Sequence, residues 1–281
     1  MFKKLIFHYK PLYRLLSKKN KGIFYSIIIR FCPANNTLYN LFLWITRIDF
    51  RINIKEKFIY HNKLKVYFSY LKRNSFYTSG IQNRWNQLID EYLINKISFK
   101  ANDLVIDCGA NIGEFTMALN QINPKLNFIC VEPEKKEFSI LEKNLLKINS
   151  INLNIALSNT IGQVEFFKKN LNGDSSLFYI EGSEKTLVKT TTLNTLFDEY
   201  NLEICRLLKL EAEGAEPEIL LGSIKILKKI NFISVDCGPE RGVNQEKTIT
   251  SVSNILYSNN FELIDIHYSR NVLLFKNKFS F

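Results

Sequence analysis

Several short stretches of the chain carry side chains able to do chemistry. Residues 107–113 read Asp-Cys-Gly-Ala-Asn-Ile-Gly. In this D-x-G-x-N-x-G pattern Gly109 and Gly113 let a ligand approach the backbone, with Ala110 and Asn111 between them. A helix that follows such a turn presents its first amides to an anion. Asp107 comes before the glycines, where its carboxylate can pair with an ammonium group, a partner that a pyrophosphate does not offer. Glu132, followed by Pro133, ends the next apolar run and can accept hydrogen bonds from ribose hydroxyls, the task of the acid in dinucleotide folds. Further on, Glu211, Glu213 and Glu216 fall within LEAEGAE, and Asp236 precedes Cys-Gly-Pro-Glu240-Arg241-Gly. Carboxylates at strand ends are candidate general bases, and burial beside apolar rings raises their pKa toward a working range. Position favours Glu211 or Asp236 as the base, with Glu213 as the third candidate. Glu216 and Glu240 are assigned to substrate binding, and Arg241 to a phosphate or carboxylate on the substrate. The competing role for Glu213 and Glu216 is to stabilise a helix start ahead of Pro217. For Asp236 it is that of a capping acid. No histidine supports these acids, so no metal is expected. His267 ends a strand and is read as solvated or packed.

These residues need strands to hold them. From Asp103 onward, apolar runs alternate with helical spacing, which implies a mostly parallel sheet covered on both faces. The expected strands are Leu104–Asp107, Asn127–Val131, Asn152–Leu157, Leu207–Leu210, Phe232–Val235, Phe261–Ile266 and Val272–Phe275, with helices centred on Thr116, Leu141, Leu220 and Val252. Gly162 to Thr192 reads as an inserted antiparallel excursion, with strands at residues 164–167 and 187–191. The last two strands are separated by only about five residues, too few for a helical crossover, and must pair as an antiparallel hairpin. A parallel sheet ending in a hairpin is the class I methyltransferase variant of the Rossmann-like α/β fold, with seven strands. Upstream, Phe2 to Phe50 reads as two short amphipathic helices. Phe58–Tyr60 and Leu64–Phe68 read as a hairpin, and residues 84–97 as a helix carrying Trp85, Leu88, Ile89, Tyr92 and Leu93 on one face. The expected domains are a basic, aromatic-rich and mainly helical extension over 1–80 and a catalytic domain over 81–281.

Over about residues 80–276 the chain resembles the FkbM family of methyltransferases. The resemblance rests on Asp107 to Gly113, the F-x-x-x-E-P element ending at Glu132-Pro133, Leu141-x-x-Asn144, Ala156-Leu157-Ser158, Thr190-Thr191-Thr192-Leu193 and above all LKLEAEGAE from Leu208 to Glu216. It implies S-adenosylmethionine as cofactor and methylation of hydroxyls, frequently on sugars of polysaccharides, glycolipids or natural products. By that resemblance Asp107, Gly109 and Asn111 would hold the methionine part of the cofactor and Glu132 its ribose, with Ala156, Leu157 and Ser158 near adenine. The family usually has Asp where this chain has Glu211. The extra methylene matters for any group held at reacting distance.

Charge divides the chain. Residues 1–100 hold 19 Lys+Arg against 4 Asp+Glu, and residues 101–281 hold 19 against 23. The basic third suits an anionic membrane surface, met through residues 1–50, or a nucleotide- or lipid-linked substrate. Packing of the same helices over the sheet or within a homo-oligomer is the competing reading. Aromatics interleaved with Lys and Arg would also suit nucleic acid. However, the LEAEGAE strand end lacks the Asn/Asp-Pro-Pro-aromatic element of base-methylating enzymes, so a nucleic-acid methyltransferase is the second reading. A nicotinamide oxidoreductase fits poorly without G-x-G-x-x-G, and an inactive cofactor-binding scaffold is the non-enzyme alternative. Five scattered cysteines, without C-x-x-C, point to a reducing cytosol. No export signal reads from the first ten residues, and the longest apolar runs fall short of the roughly 20 residues of a membrane span. The expected location is cytoplasmic, with peripheral contact at the inner membrane face.

Overall fold

The computed structural model describes residues 36–45, 48–168, 175–176, 178–179 and 182–279. Most of the expected membrane-surface arm therefore lies outside the described residues, as does Cys32. The chain divides between Asn86 and Gln87 into two compact units.

In the first unit, helix α1 (Asn36–Ile45) precedes a three-stranded antiparallel meander of β1 (Arg51–Asn53), β2 (Phe58–His61) and β3 (Leu64–Tyr67). The β2–β3 pair is the expected hairpin, turning on Asn62 at φ 52°, a conformation asparagine tolerates well. Strand alternation sends Ile52, Ile59 and Val66 to one face, where all three are buried.

Helix α2 (Ile81–Glu91) leads into the second unit. It ends earlier than the spacing predicts. Leu93 takes a left-handed turn at φ 59°, and a short 3-10 turn follows, so that Tyr92 and Ile94 are both buried on either side of the bend. Beyond it come β4 (Leu104–Cys108), α3 (Glu114–Ile122), β5 (Asn127–Val131), α4 (Lys135–Leu145), β6 (Ser150–Leu153), β7 (Ala156–Leu157), β8 (Gly162–Lys168), β9 (Ser175–Ser176) and β10 (Glu184–Thr191). The chain continues through α5 (Leu193–Glu199), β11 (Cys205–Leu210), α6 (Glu216–Leu221), β12 (Ile230–Asp236), β13 (Pro239–Arg241), β14 (Glu246–Lys247), α7 (Ile249–Ser258), β15 (Phe261–His267) and β16 (Val272–Asn277).

The central sheet has seven strands in the order β15-β16-β12-β11-β4-β5-β6. Strands β12, β11, β4, β5 and β6 run parallel, while β16 is antiparallel to both β12 and β15. This is the Rossmann-like methyltransferase sheet with its terminal hairpin. The middle strands are buried almost end to end, as strands covered on both faces must be. One expected strand is corrected. Asn152–Leu157 is not continuous, because Asn154 Nδ2 donates to the carbonyls of Glu132 (2.9 Å) and Pro133 (3.1 Å) and ends pairing with β5. The next residues, β7, pair instead with β10 in a second sheet of order β7-β10-β8-β9. Register slipping is resisted at the shift because Ala156 and Leu157 are buried. Among the described residues no helix is long and apolar enough to cross a membrane.

Candidate active site

The carboxyl ends of β4, β11 and β12 lie side by side, where open α/β sheets bind their ligands. The glycine turn after β4 is tied to β5, since the Gly109 and Ala110 amides both donate to the Val131 carbonyl at 3.0 Å. Gly109 is required by close approach: at φ 73°, a β-carbon there would stand 1.8 Å from the Glu211 carbonyl oxygen. Gly113, at φ 85°, is the residue before α3, and no side chain caps that helix. Asn144 steadies the turn by donating to the Ile112 carbonyl at 2.7 Å.

Glu132 is buried and braces the same turn. Its Oε2 accepts from the Asn111 amide and its Oε1 from the Glu134 amide, both at 2.8 Å. Burial pushes its carboxyl up to about 8, against the lowering effect of those amides. Each oxygen keeps a second lone pair that can accept from a hydroxyl. An uncapped helix start beside an acid of this kind forms a donor and acceptor set that fits a nucleoside carrying an amino acid with a free carboxylate.

Asp107 differs from its sequence assignment. Its carboxylate is fully buried and turned to protein partners: Thr116 Oγ1 donates to Oδ2 at 2.8 Å, and Lys209 Nζ lies 3.2 Å from Oδ1. Asp107 anchors the turn from beneath. Lys209 pairs with Asp107 in the β11–β4 register and extends the charge row to Glu211, whose Oε2 is 3.1 Å from Nζ. The ammonium also donates to the Gly109 carbonyl at 2.9 Å and lies 5.2 Å from the Tyr92 ring centre. Burial opposes its charge, but Asp107 and Glu211 raise its pKa beyond the usual lysine range.

Arg270, in the turn of the terminal hairpin, closes the row. Because Val272 of β16 pairs with Asp236 of β12, Arg270 stands over that strand end. Its Nη2 is 2.8 Å from Glu211 Oε1 and 2.5 Å from Asp236 Oδ2, and Nη1 is 3.9 Å from Glu91. Burial would raise Glu211, but Lys209 and Arg270 overcome it and hold the carboxyl at about 2, with help from the Tyr92 hydroxyl. Asp236 is raised above the ordinary aspartate value by burial and by Glu211, against Arg270. Its Oδ1 accepts from the Gly238 amide at 3.0 Å. Burial and the negative charges of Asp236, Glu211 and Glu216 push Glu240 up to about 8. Gly238 lets the two acids close on one another: a β-carbon there would lie 3.2 Å from both Asp236 Oδ1 and Glu240 Oε1.

Two residues assigned to substrate are engaged by the protein. Glu216 is buried, with Oε1 accepting from the Ala212 (2.9 Å) and Gly214 (3.1 Å) amides and Oε2 accepting from Thr248 Oγ1 at 3.1 Å. It holds the LEAEGAE turn, and burial pushes it up to about 7. Arg241 grips Glu218 through two bonds of 2.9 and 2.6 Å and donates to the Gly214 carbonyl at 2.6 Å. Its guanidinium thus ties β13 to α6 and lies 4.3 Å from the Phe178 ring centre. Glu213 occupies a left-handed position at φ 50°, and its carbonyl accepts from Ser176 Oγ at 2.8 Å. Pro133 follows Glu132 on the turn into α4. Ala156, Leu157 and Ser158 are buried in and after β7, with the Ser158 amide donating to the Thr191 carbonyl at 2.9 Å. Cys108 and Cys237 flank the acids as buried thiols. Burial raises both, Cys237 to about 12, so neither supplies a thiolate nucleophile.

Sequence reasoning missed Lys209, Tyr92 and Arg270. Only Lys209 carried a signal, as a lone lysine in the apolar strand Leu207-Leu208-Lys209-Leu210. Such a lysine is hardly ever buried without an anionic partner.

A model of the family described as Methyltransferase FkbM domain matches residues 107–263. The chain is similar to the 2-O-methyltransferase NoeI of Sinorhizobium fredii, with 22% identity over 206 residues, 67% of this chain and 84% of that protein. It is also similar to the methyltransferase sdnD of Sordaria araneosa, with 25% identity over 173 residues, 49% of this chain and 67% of the relative. Among solved structures, a SAM-dependent methyltransferase from Aquifex aeolicus aligns with a TM-score of 0.41 and 10% identity, covering 69% of this chain and 96% of that one.

Proposed function

The chain belongs to the FkbM methyltransferase family and is an S-adenosylmethionine-dependent methyltransferase. From that premise we propose that it methylates a sugar hydroxyl of a glycan, a glycolipid or a nucleotide- or lipid-linked precursor. The observation that carries this reading is the pair Asp236 and Glu240, converging over Gly238 beside the Glu211–Arg270 ion pair. Carboxylates and a guanidinium at one mouth suit an acceptor rich in hydroxyls. An acidic mouth also disfavours a phosphodiester strand, whose affinity depends on neutralising phosphates. The 2-O-methyltransferase among the relatives supports oxygen as the acceptor atom.

When bound, S-adenosylmethionine supplies a methyl group on a positively charged sulfur, an excellent leaving group. The protein's residues have to hold the acceptor oxygen in line and remove its proton. Glu240, with its carboxyl near 8, has the basicity to take that proton at neutral to mildly alkaline pH. Asp236, raised by burial and neighbouring charge, orients a neighbouring hydroxyl. Glu211 at about 2 is too weak a base for the step and serves as the fixed anion between Lys209 and Arg270. Uptake of the acceptor proton by Glu240 makes the rate rise with pH through about 8. Glu240→Gln should remove that limb and slow transfer by about 100-fold or more, measured with an isolated sugar acceptor and labelled cofactor. Mass spectrometry of glycans with and without the gene should show loss of one CH2 increment. Glycans unchanged in mass would sink the acceptor reading.

A further inference from the structure

Within the first unit lies an open cleft of about 400 Å3 lined by Trp44, Asp49, Arg51, Tyr60, His61 and Asn62. It takes no part in the charge row described above. Trp44 is 50% exposed and Tyr60 42%, so two large rings border the cleft at solvent.

The cleft is held in shape by its neighbours. Asn40 grips β1 from α1, its Nδ2 donating to the Ile52 carbonyl at 2.9 Å and its Oδ1 accepting the Ile52 amide at 2.8 Å. Asn36 Oδ1 accepts the Ile54 amide at 2.7 Å. Asn36, Asn40 and Trp44 follow at steps of four, along one face of the helix, so the face clamped to the strand edge carries Trp44 to the cleft. Across the meander, Arg51 pairs with Tyr60 and Tyr60 with Lys65. These three stand in one row opposite the buried Ile52, Ile59 and Val66. Arg51 is fixed in turn, with Nη1 donating to the Phe50 carbonyl at 3.1 Å and the Ile48 carbonyl at 3.5 Å.

We propose that this cleft binds a saccharide ring. A pyranose offers an apolar C–H face, which packs on an aromatic ring, and a rim of hydroxyls, which bond to polar side chains in the manner of orienting groups in ligand pockets. Trp44 and Tyr60 supply the faces. Asp49 and Asn62 accept from hydroxyls, while Arg51, His61 and Asn62 donate. A nucleic-acid strand would require an unbroken track of cations along the groove, whereas this lining sets Asp49 beside Arg51 and His61. The proposal rests on the glycan reading of the acceptor and adds to it a recognition element outside the transfer site.

The test uses the full chain on an array of neutral and anionic saccharides, with the best-retained saccharide then titrated by calorimetry. Trp44→Ala and Tyr60→Ala should each weaken binding about tenfold or more, Tyr60→Phe should retain it, and S-adenosylhomocysteine affinity should stay unchanged in all three. Retained cofactor affinity in the Ala variants shows that the second unit still folds, and an unchanged circular dichroism spectrum shows that the meander does. The cleft assignment is overturned if no saccharide is retained, if both Ala variants bind as tightly as the parent, or if a single-stranded oligonucleotide displaces the saccharide. Sugar methylation by a chain whose binding ignores Trp44 and Tyr60 would remove the cleft and keep the acceptor reading. Cleft-dependent binding with a non-sugar methylated product would do the reverse.

Discussion

Glu211 and Glu240 carry the same carboxyl group, yet their surroundings tune them in opposite directions. Glu211 lies between two cations, while Glu240 faces three acids. The consequence for stability has a definite sign. A carboxyl held at about 2 against an ordinary 4.5 stabilises the fold above pH 4.5, and that contribution disappears as pH falls through 2. Urea midpoints measured across this window should drop, and Glu211→Gln should flatten the drop. Lys209 carries a larger burden because it faces a fully buried Asp107. Lys209→Met leaves that carboxylate without its cation and should destabilise the protein by about 3–5 kcal/mol, read from denaturant unfolding. An unchanged midpoint would mean that Asp107 finds another partner.

Among the elements, the glycine turn and the β11 end are built against each other. The gap between them admits no methyl group, since a β-carbon on Gly109 would lie 1.8 Å from the Glu211 carbonyl. Gly109→Ala combines that overlap with a positive φ and should cost about 3 kcal/mol or more, with weaker binding of S-adenosylhomocysteine by calorimetry. The terminal hairpin has a chemical task as well as a topological one. Its register sets Arg270 over Asp236 and Glu211. The break between β6 and β7 likewise follows from one side chain, Asn154, whose amide takes the carbonyls after β5.

For the molecule as a whole, the chain divides into two units, one carrying the meander with the aromatic cleft and the other the sheet with the candidate active site. A chain starting at residue 80 keeps all of α2 and every residue of the charge row. It should fold and bind S-adenosylhomocysteine within about threefold of the full chain. Circular dichroism and calorimetry check this, and a fragment that fails to fold would show that the second unit depends on the first. The same fragment should lose saccharide retention on the array, since it lacks Trp44 and Tyr60.

The succession of the seven central strands, the terminal hairpin, the glycine turn and the acids at strand ends could be read from the sequence, whereas α5 and the β13–β14 pair were not expected. Apolar runs, two-residue alternation and short loops are local properties, and in an α/β fold local pattern dictates topology. What side chains do depends on register and proximity, which are not local. Only the folded sheet turns Asp107 inward onto Lys209, commits Glu216 to the LEAEGAE turn and Arg241 to Glu218, and brings Arg270 from the far end of the chain between Glu211 and Asp236. Sequence could list the acids at the site. Which of them holds a proton near neutral pH was decided by burial and by Arg270, which arrives from 30 to 59 residues beyond Glu240, Asp236 and Glu211 through the antiparallel pairing of β12 with β16.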